Sequence, residues 1–325
     1  MKTFDEITQI ISREMEKLQW TAEPHGLYQP IDYVLSMGGK RIRPVLTLMA
    51  CNLFSEDIDA AIAPALGIEV FHNFTLLHDD IMDKADMRRG KPTVHKKWND
   101  NTAILSGDVM QIASYQLIAK TPINLLKPVL DLFSQTAMEI CEGQQYDVDF
   151  EKLENVSTDE YLEMIRLKTA VLLACALKTG ALIGGSNSEN AQLLYDFGIN
   201  LGLAFQLKDD FLDVYGDEAT FGKKIGGDII CNKKTFMLIK LIELAQGDDL
   251  NELKKWLAFS DETSYNDKIL AITALYNKLG IHAICEDKMQ EYYNMAVANL
   301  ENLDVLDNKK QELRKIAENL MFRNN

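Results

Sequence analysis

Proline is absent from everything after residue 128: all seven prolines fall at or before Pro128. Downstream of that point no ring removes a backbone donor, so long unbroken helices are open to the chain. Cysteine is scarce and scattered. The five thiols, Cys51, Cys141, Cys175, Cys231 and Cys285, are odd in number and show no metal-ligand spacing, which argues against a disulfide framework and fits a reduced, cytoplasmic setting. Positive charge is also short. The 34 Lys and Arg stand against 49 Asp and Glu, for a formal net charge of −15, so nucleic acid is not an expected partner. No uninterrupted apolar run approaches the roughly 18–20 residues of a membrane span. The N-terminal stretch is amphipathic and broken by Asp5, Glu6, Arg13, Glu14, Glu16 and Lys17, unlike a signal peptide. Neither alternating strands nor hairpin signals stand out.

What the chain does have is apolar spacing of three and four almost everywhere, as in Val70-Phe71-Phe74-Leu77-Ile81 and Leu194-Phe197-Leu201-Ala204-Phe205. The spacing predicts helices near 1–19, 41–54, 58–84, 101–119, 123–143, 158–184, 189–216, 233–246, 262–279, 281–301 and 306–322. Turn-formers lie between them: Gly38-Gly39, Arg89-Gly90-Lys91-Pro92, Gly184-Gly185-Ser186-Asn187 and Gly247-Asp248-Asp249. With 47% hydrophobic residues and no low-complexity linker, the expectation is one all-α domain over 1–325, a helical bundle with a central cavity between two Asp-rich helices.

Those two helices carry the same five-residue word, Asp79-Asp80-Ile81-Met82-Asp83 and Asp209-Asp210-Phe211-Leu212-Asp213. Positions one and five of the word share a helix face. Carboxylates crowded this way call for a cation, and hard oxygen ligands select Mg²⁺ first. His72, Asp79 and Asp83 fall within about 20° of one line on a helical wheel and form a polar stripe on an apolar helix. Gln206, Asp209, Asp210 and Asp213 do the same on the second. The apolar runs flanking both words disfavour a merely solvated acidic face. Without that stripe His72 would read as a core histidine, as His78 does.

In so acidic a chain the few basic clusters are informative. Gly38-Gly39-Lys40-Arg41-Ile42-Arg43-Pro44 opens a helix, whose N-terminus favours an anion. Arg88-Arg89-Gly90 follows the first acidic word, and Gly222-Lys223-Lys224-Ile225-Gly226-Gly227-Asp228 and Lys233-Lys234-Thr235 follow the second. Lys168-Thr169 lies between the words. Each alone is an ordinary surface charge; together, flanking metal-binding words, they suit phosphorylated ligands. Metal and basic side chains would then stabilise a departing pyrophosphate, and a dry pocket would house the hydrocarbon cation left behind.

In this order, Gly-Gly-Lys-x-x-Arg-Pro, Asp-Asp-x-x-Asp, Arg-Arg-Gly, Lys-Thr, Phe-Gln-x-x-Asp-Asp-x-x-Asp and Gly-Lys-x-x-Gly-x-Asp resemble the trans-isoprenyl diphosphate synthases, the polyprenyl synthetase family, over nearly the whole chain. The ending Leu320-Met321-Phe322-Arg323 resembles the family's basic tail. The resemblance implies a Mg²⁺-dependent prenyltransferase joining isopentenyl diphosphate head-to-tail to an allylic diphosphate (dimethylallyl, geranyl or farnesyl). It implies that Asp79 and Asp83 ligate two Mg²⁺ ions and Asp209 a third, with Asp80, Asp210 and Asp213 in support. Lys40, Arg43, His72 and Arg89 would hold isopentenyl diphosphate, and Arg88, Lys168, Lys223 and Lys233 the allylic diphosphate. Thr169 and Gln206 would place oxygens near the developing cation, and released pyrophosphate would take the proton. A homodimer is implied as well.

Product length is expected to depend on pocket depth below the first word. Thr75 lies one turn below Asp79 on the same face, whereas Phe74 is about 140° away on the wheel and enters only because a bulky residue there resembles the floor of short-chain geranylgeranyl synthases. Neither the paired aromatics of eukaryotic farnesyl synthases nor the bacterial two-residue insertion is present. With Met110 and Tyr115 adding bulk, the expectation is a product of roughly fifteen to twenty carbons. Two other readings compete. A non-catalytic partner subunit should have lost motif residues, and none is lost. A class I terpene cyclase usually carries an Asn/Asp-Ser/Thr-Glu motif in place of the second acidic word.

Overall fold

The structure, a computed structural model, describes residues 1–216, 225–259 and 264–322. Their contacts group into two compact units. The first comprises Met1–Gln135, Leu172–Tyr195 and Leu303–Glu312; the second comprises Thr136–Val171, Asp196–Asn302 and Leu313–Asn325. The described residues are almost entirely helical, as expected of an all-α protein.

In the first unit, α1 (Phe4–Glu16) opens on a capping box in which Thr3 and Glu6 satisfy each other's backbone donors, and it buries Ile7, Ile11 and Met15 at four-residue spacing. Then come α2 (His25–Ser36), α3 (Ile42–Phe54) and α4 (Asp59–Met82). By length and hydropathy α4 is the one helix among the described residues apolar enough to cross a membrane, and 67% of that window is buried inside the protein. It is a core helix by burial, and its apolar character reflects Ile68, Val70, Phe71 and Leu77 packed inside. A short hairpin follows, β1 (Met87–Arg88) and β2 (Lys91–Pro92), paired Met87 to Pro92 and Arg88 to Lys91. After it come α5 (Val94–Lys97), α6 (Asp100–Ile118) and the start of α7 (Ile123–Phe150).

The second unit contains the end of α7, then α8 (Thr158–Ile165), a π-helical turn (Arg166–Ala170) that runs into α9 (Val171–Ile183), and most of α10 (Ser188–Tyr215). Further on are α11 (Gly227–Ile230), α12 (Phe236–Leu244), α13 (Gly247–Leu257), α14 (Tyr265–Lys278), α15 (Ile281–Glu301) and the later part of α16 (Asp307–Phe322). Tyr161, Leu207, Phe236, Leu241, Ile272 and Tyr276 are among the buried residues of its core.

Most predicted helices recur within a few residues, and the departures have local causes. The hairpin was not expected because two-residue strands show no alternation; its loop, Arg89-Gly90, has φ of 51° and 73°, the left-handed pair that closes a two-residue turn of the type I′ class. The helix predicted to end at 143 continues to Phe150, since Gly143 does not break it. Gly247-Asp248-Asp249 starts α13 instead of a loop, the two acids lying in the first turn, where the helix dipole favours them. α2, with Pro30 inside it, was also absent from the expectation.

Candidate active site

Both acidic words sit at the C-terminal ends of their helices, where exposed carbonyls already carry negative partial charge. A cation there neutralises carboxylates and helix end together. α4 stops just after the word: Asp83 is its C-cap, Lys84 turns left-handed at φ 53°, and the Ala85 N–H closes back on the Asp80 carbonyl. That closure is the Schellman arrangement with Lys in the position glycine usually takes. Asp83 is thereby exposed, Asp79 half-buried and Asp80 buried. The Asp80 carboxylate accepts from Arg88 Nε at 2.8 Å. Burial raises the Asp80 carboxyl above its ordinary range, with Arg88 opposing.

The hairpin and the glycine loop before α3 meet in the first unit. Arg89 donates to the Gly38 carbonyl. Gly39 has φ of 136°, and a Cβ there would lie 2.8 Å from the Arg89 Cζ, so only glycine admits the guanidinium. Arg43 NH1 is 3.1 Å from His72 Nε2. Glu69, one turn before His72, is buried and accepts from Asn73 Nδ2 at 3.1 Å. Asn73, Asp80, Arg88 and Arg89 line one recess.

Positive charge is crowded here, offset in part by Glu69 and Asp80. Burial lowers Arg43 to about 10, Arg89 adding to the effect and Glu69 opposing it. Burial also holds His72 well below its ordinary value, reinforced by Arg43, Arg89 and Arg88. Glu69 is raised by burial, with Arg43 pulling the other way. A polyanion entering this cluster relieves repulsion and regains solvation at once.

His72 therefore gives a pH prediction. Its folded-state value is depressed, so below pH of about 6.5 the unfolded chain takes up a proton that the folded chain refuses. This contribution is present above that pH and lost as pH falls, at a slope of at most about 1.4 kcal/mol per pH unit. Urea midpoints for the parent should drop between pH 7 and pH 5.5 by more than those for His72→Gln. Parallel drops would contradict the assignment.

In the second unit, the residues read from the sequence join in a chain of hydrogen bonds. The π turn carries Lys168 and Thr169, a widening common at functional sites. Lys168 Nζ reaches Asp147 at 2.5 Å. Thr169 Oγ1 donates to Gln206 Oε1 at 3.1 Å, and Gln206 Nε2 donates to Asp210 Oδ1 at 3.0 Å. Tyr161 donates to the other oxygen of Asp210. Burial pushes Asp210 up to about 7, helped by Asp228 and opposed by Lys233, Tyr161 and Gln206. Asp213 accepts from the Asp228 N–H at 3.0 Å and so caps α11. Lys233 is exposed and lines a recess with Asp210, Asp228, Thr235 and Tyr276. Lys223 and Arg323 lie outside the described residues.

Among the described residues no three His, Cys, Asp or Glu side chains form a group that could hold a metal unaided. Mg²⁺ in general keeps waters and takes one or two carboxylates plus substrate phosphates. Asp80, Asp210 and Asp213 are engaged by protein donors, while Asp79, Asp83 and Asp209 keep access to solvent. Sequence reasoning missed Glu69, Asp147 and Tyr161. An acid one turn from His72 on an apolar helix was a signal for Glu69; nothing local marks the other two.

The polyprenyl synthetase model matches residues 24–275. A geranylgeranyl pyrophosphate synthase of Geoglobus acetivorans is 38% identical over 91% of this chain and 90% of its own. The crystal structure of a geranylgeranyl pyrophosphate synthase shares 46% identity at a TM-score of 0.94 and covers 99% of both chains. A polyprenyl synthase from Caulobacter crescentus CB15, complexed with calcium and isoprenyl diphosphate, shares 26% identity at a TM-score of 0.86 and covers all of both chains.

Proposed function

The chain belongs to the polyprenyl synthetase family, and from that premise we propose how its residues divide the work. It is a trans-prenyltransferase that condenses isopentenyl diphosphate with an allylic diphosphate and releases pyrophosphate, giving a short-chain product. It uses a divalent metal, which we take to be Mg²⁺, three ions to a site. Asp79 and Asp83, with Asp209, hold the metal, whose charge assists departure of the allylic diphosphate. Arg88, Lys168, Lys223 and Lys233 bind that diphosphate. Lys40, Arg43, His72 and Arg89 hold isopentenyl diphosphate. Gln206 and Thr169 turn oxygens toward the carbon that becomes positive, and no side-chain base is required because the released pyrophosphate takes the proton.

The observation that carries this reading is the crowding of Arg43, His72, Arg88 and Arg89 in a chain of net charge −15, with Arg43 and His72 both held below their ordinary values. A bound polyanion would relieve that crowding beyond what Asp80 and Glu69 already supply. The test is to incubate the protein and Mg²⁺ with each allylic starter, with and without isopentenyl diphosphate. Pyrophosphate and a longer prenyl diphosphate should form only when both substrates are present. Hydrocarbon from the allylic substrate alone would point to a cyclase instead.

We assign a twenty-carbon product, in line with the geranylgeranyl synthases among its relatives. Phe74 supports it: the buried ring stacks edge-on to His78 at 4.7 Å and tilts against Phe71 at 5.3 Å, while Phe71 and Tyr115 both pack on Phe133. The two neighbouring rings, Phe71 and His78, hold Phe74 in place. Phe74→Ala should lengthen the main product by at least one five-carbon unit on reversed-phase chromatography, and an unchanged distribution would remove Phe74 from the floor. Thr75, whose hydroxyl returns to the His72 carbonyl at 2.8 Å, is the second lining residue.

We also propose a homodimer. On α6, Ile104, Leu105 and Ile112 are exposed, with Leu105 and Ile112 on one face, apolar surface that a second copy of the chain would cover. Sedimentation at micromolar concentration should give twice the chain mass, and a monomer there would refute it. The five cysteines, none joined in a disulfide, suit a reducing, cytoplasmic location.

A further inference from the structure

Asp210 is 5% exposed, and each of its carboxylate oxygens is filled from within the second unit. Oδ1 accepts from Gln206 Nε2 at 3.0 Å, and Oδ2 accepts from the Tyr161 hydroxyl. Gln206 therefore presents its NH₂ to Asp210. Its carbonyl is then committed to the opposite side, where it takes the Thr169 hydroxyl at 3.1 Å. The orientation of the Gln206 amide thus depends on a carboxylate held in place by Tyr161.

Tyr161 is built for that task. It lies on α8, whose first turn is fixed by the Ser157–Glu160 capping box. Its ring is 1% exposed and sits 6.5 Å from that of Phe236. The phenol stays protonated, since burial and Asp210 both hold its ionisation well above the ordinary value. No other part of the mechanism uses it.

We propose that Tyr161 is a positioning residue for the ionisation step: acting through Asp210, its hydroxyl locks the Gln206 amide with its carbonyl on the Thr169 side, where the oxygen stabilises developing positive charge. With the amide reversed, N–H donors would face that charge and oppose it. The inference rests on the reading that the site ionises an allylic diphosphate, and it adds a residue that the acidic and basic motifs do not contain.

The test uses the full chain with Mg²⁺ and both diphosphate substrates. Tyr161→Phe removes one oxygen and keeps the ring. It should lower kcat about ten-fold or more, while KM for isopentenyl diphosphate stays within about two-fold, because Arg43, His72 and Arg89 are untouched. Asp210→Asn supplies the second arm. If Tyr161 acts through Asp210, adding Tyr161→Phe to Asp210→Asn should cause little further loss, whereas independent effects would multiply. Phe236→Leu trims the packing ring and leaves the hydroxyl; it should lower the melting temperature and keep kcat within about two-fold. Three results would overturn the proposal: a Tyr161→Phe kcat close to the parent's, multiplying losses in the double variant, or a Tyr161→Phe chain that no longer melts cooperatively, which would make the hydroxyl a requirement of the fold. Absence of pyrophosphate release from the parent would instead defeat the prenyltransferase reading beneath it, so the two failures are distinct.

Discussion

Asp79→Ala is expected to lower kcat by about three orders of magnitude or more, with little change in melting temperature. The side chain is half-buried near the C-terminal end of α4, among Asp80, Asp83 and the helix's last carbonyls. Removing a negative charge from that end costs the fold little. On the proposed reading, what is lost is an oxygen ligand of the metal, whose positive charge would counter that of the leaving diphosphate. Asp80→Ala offers a useful contrast. It strips the partner from Arg88, and Asp80 is itself buried, so both stability and activity should fall, stability by about 1–3 kcal/mol. Kinetics at saturating Mg²⁺, with thermal melts alongside, separate the two. An Asp79→Ala enzyme within ten-fold of the parent would remove Asp79 from the metal set.

Gly143→Ala is the second large effect, and it comes from packing alone. A Cβ at residue 143 on α7 would lie 2.4 Å from the Lys168 backbone nitrogen and 2.8 Å from the Leu167 carbonyl carbon. Neither is a flexible side-chain end, so the π turn itself has to shift. Two contacts depend on that turn, Lys168 with Asp147 and Thr169 with Gln206. Stability should fall by about 1–3 kcal/mol, and kcat by about a hundred-fold through misplacement of the site. KM for isopentenyl diphosphate should change little, since its proposed ligands lie in the other unit. Kinetics like the parent's from a well-folded variant would mean that the close approach to Gly143 does not hold the turn in register.

The helices carrying the site were readable because the signals for them are local. Apolar spacing located α4 and α10 within two residues at each end, and repetition of a five-residue word marked both acidic helix ends. The hairpin was not readable. Arg89 and Gly90 take positive φ, and nothing in a two-residue strand announces a partner.

The sequence by itself determined the all-α class, the two carboxylate rows, the scarce cations and, through their order, the family. All of these depend on residues within a turn or two of one another, or on residue type alone. Tertiary structure decided which groups act on which. It put Arg89 against Gly39, Arg43 against His72, and Tyr161 and Gln206 on the two oxygens of one buried carboxylate. Those partners are separated by up to about fifty residues of chain, and only burial, which raises the cost of an unpaired charge or hydroxyl, selects among the pairings the sequence allows.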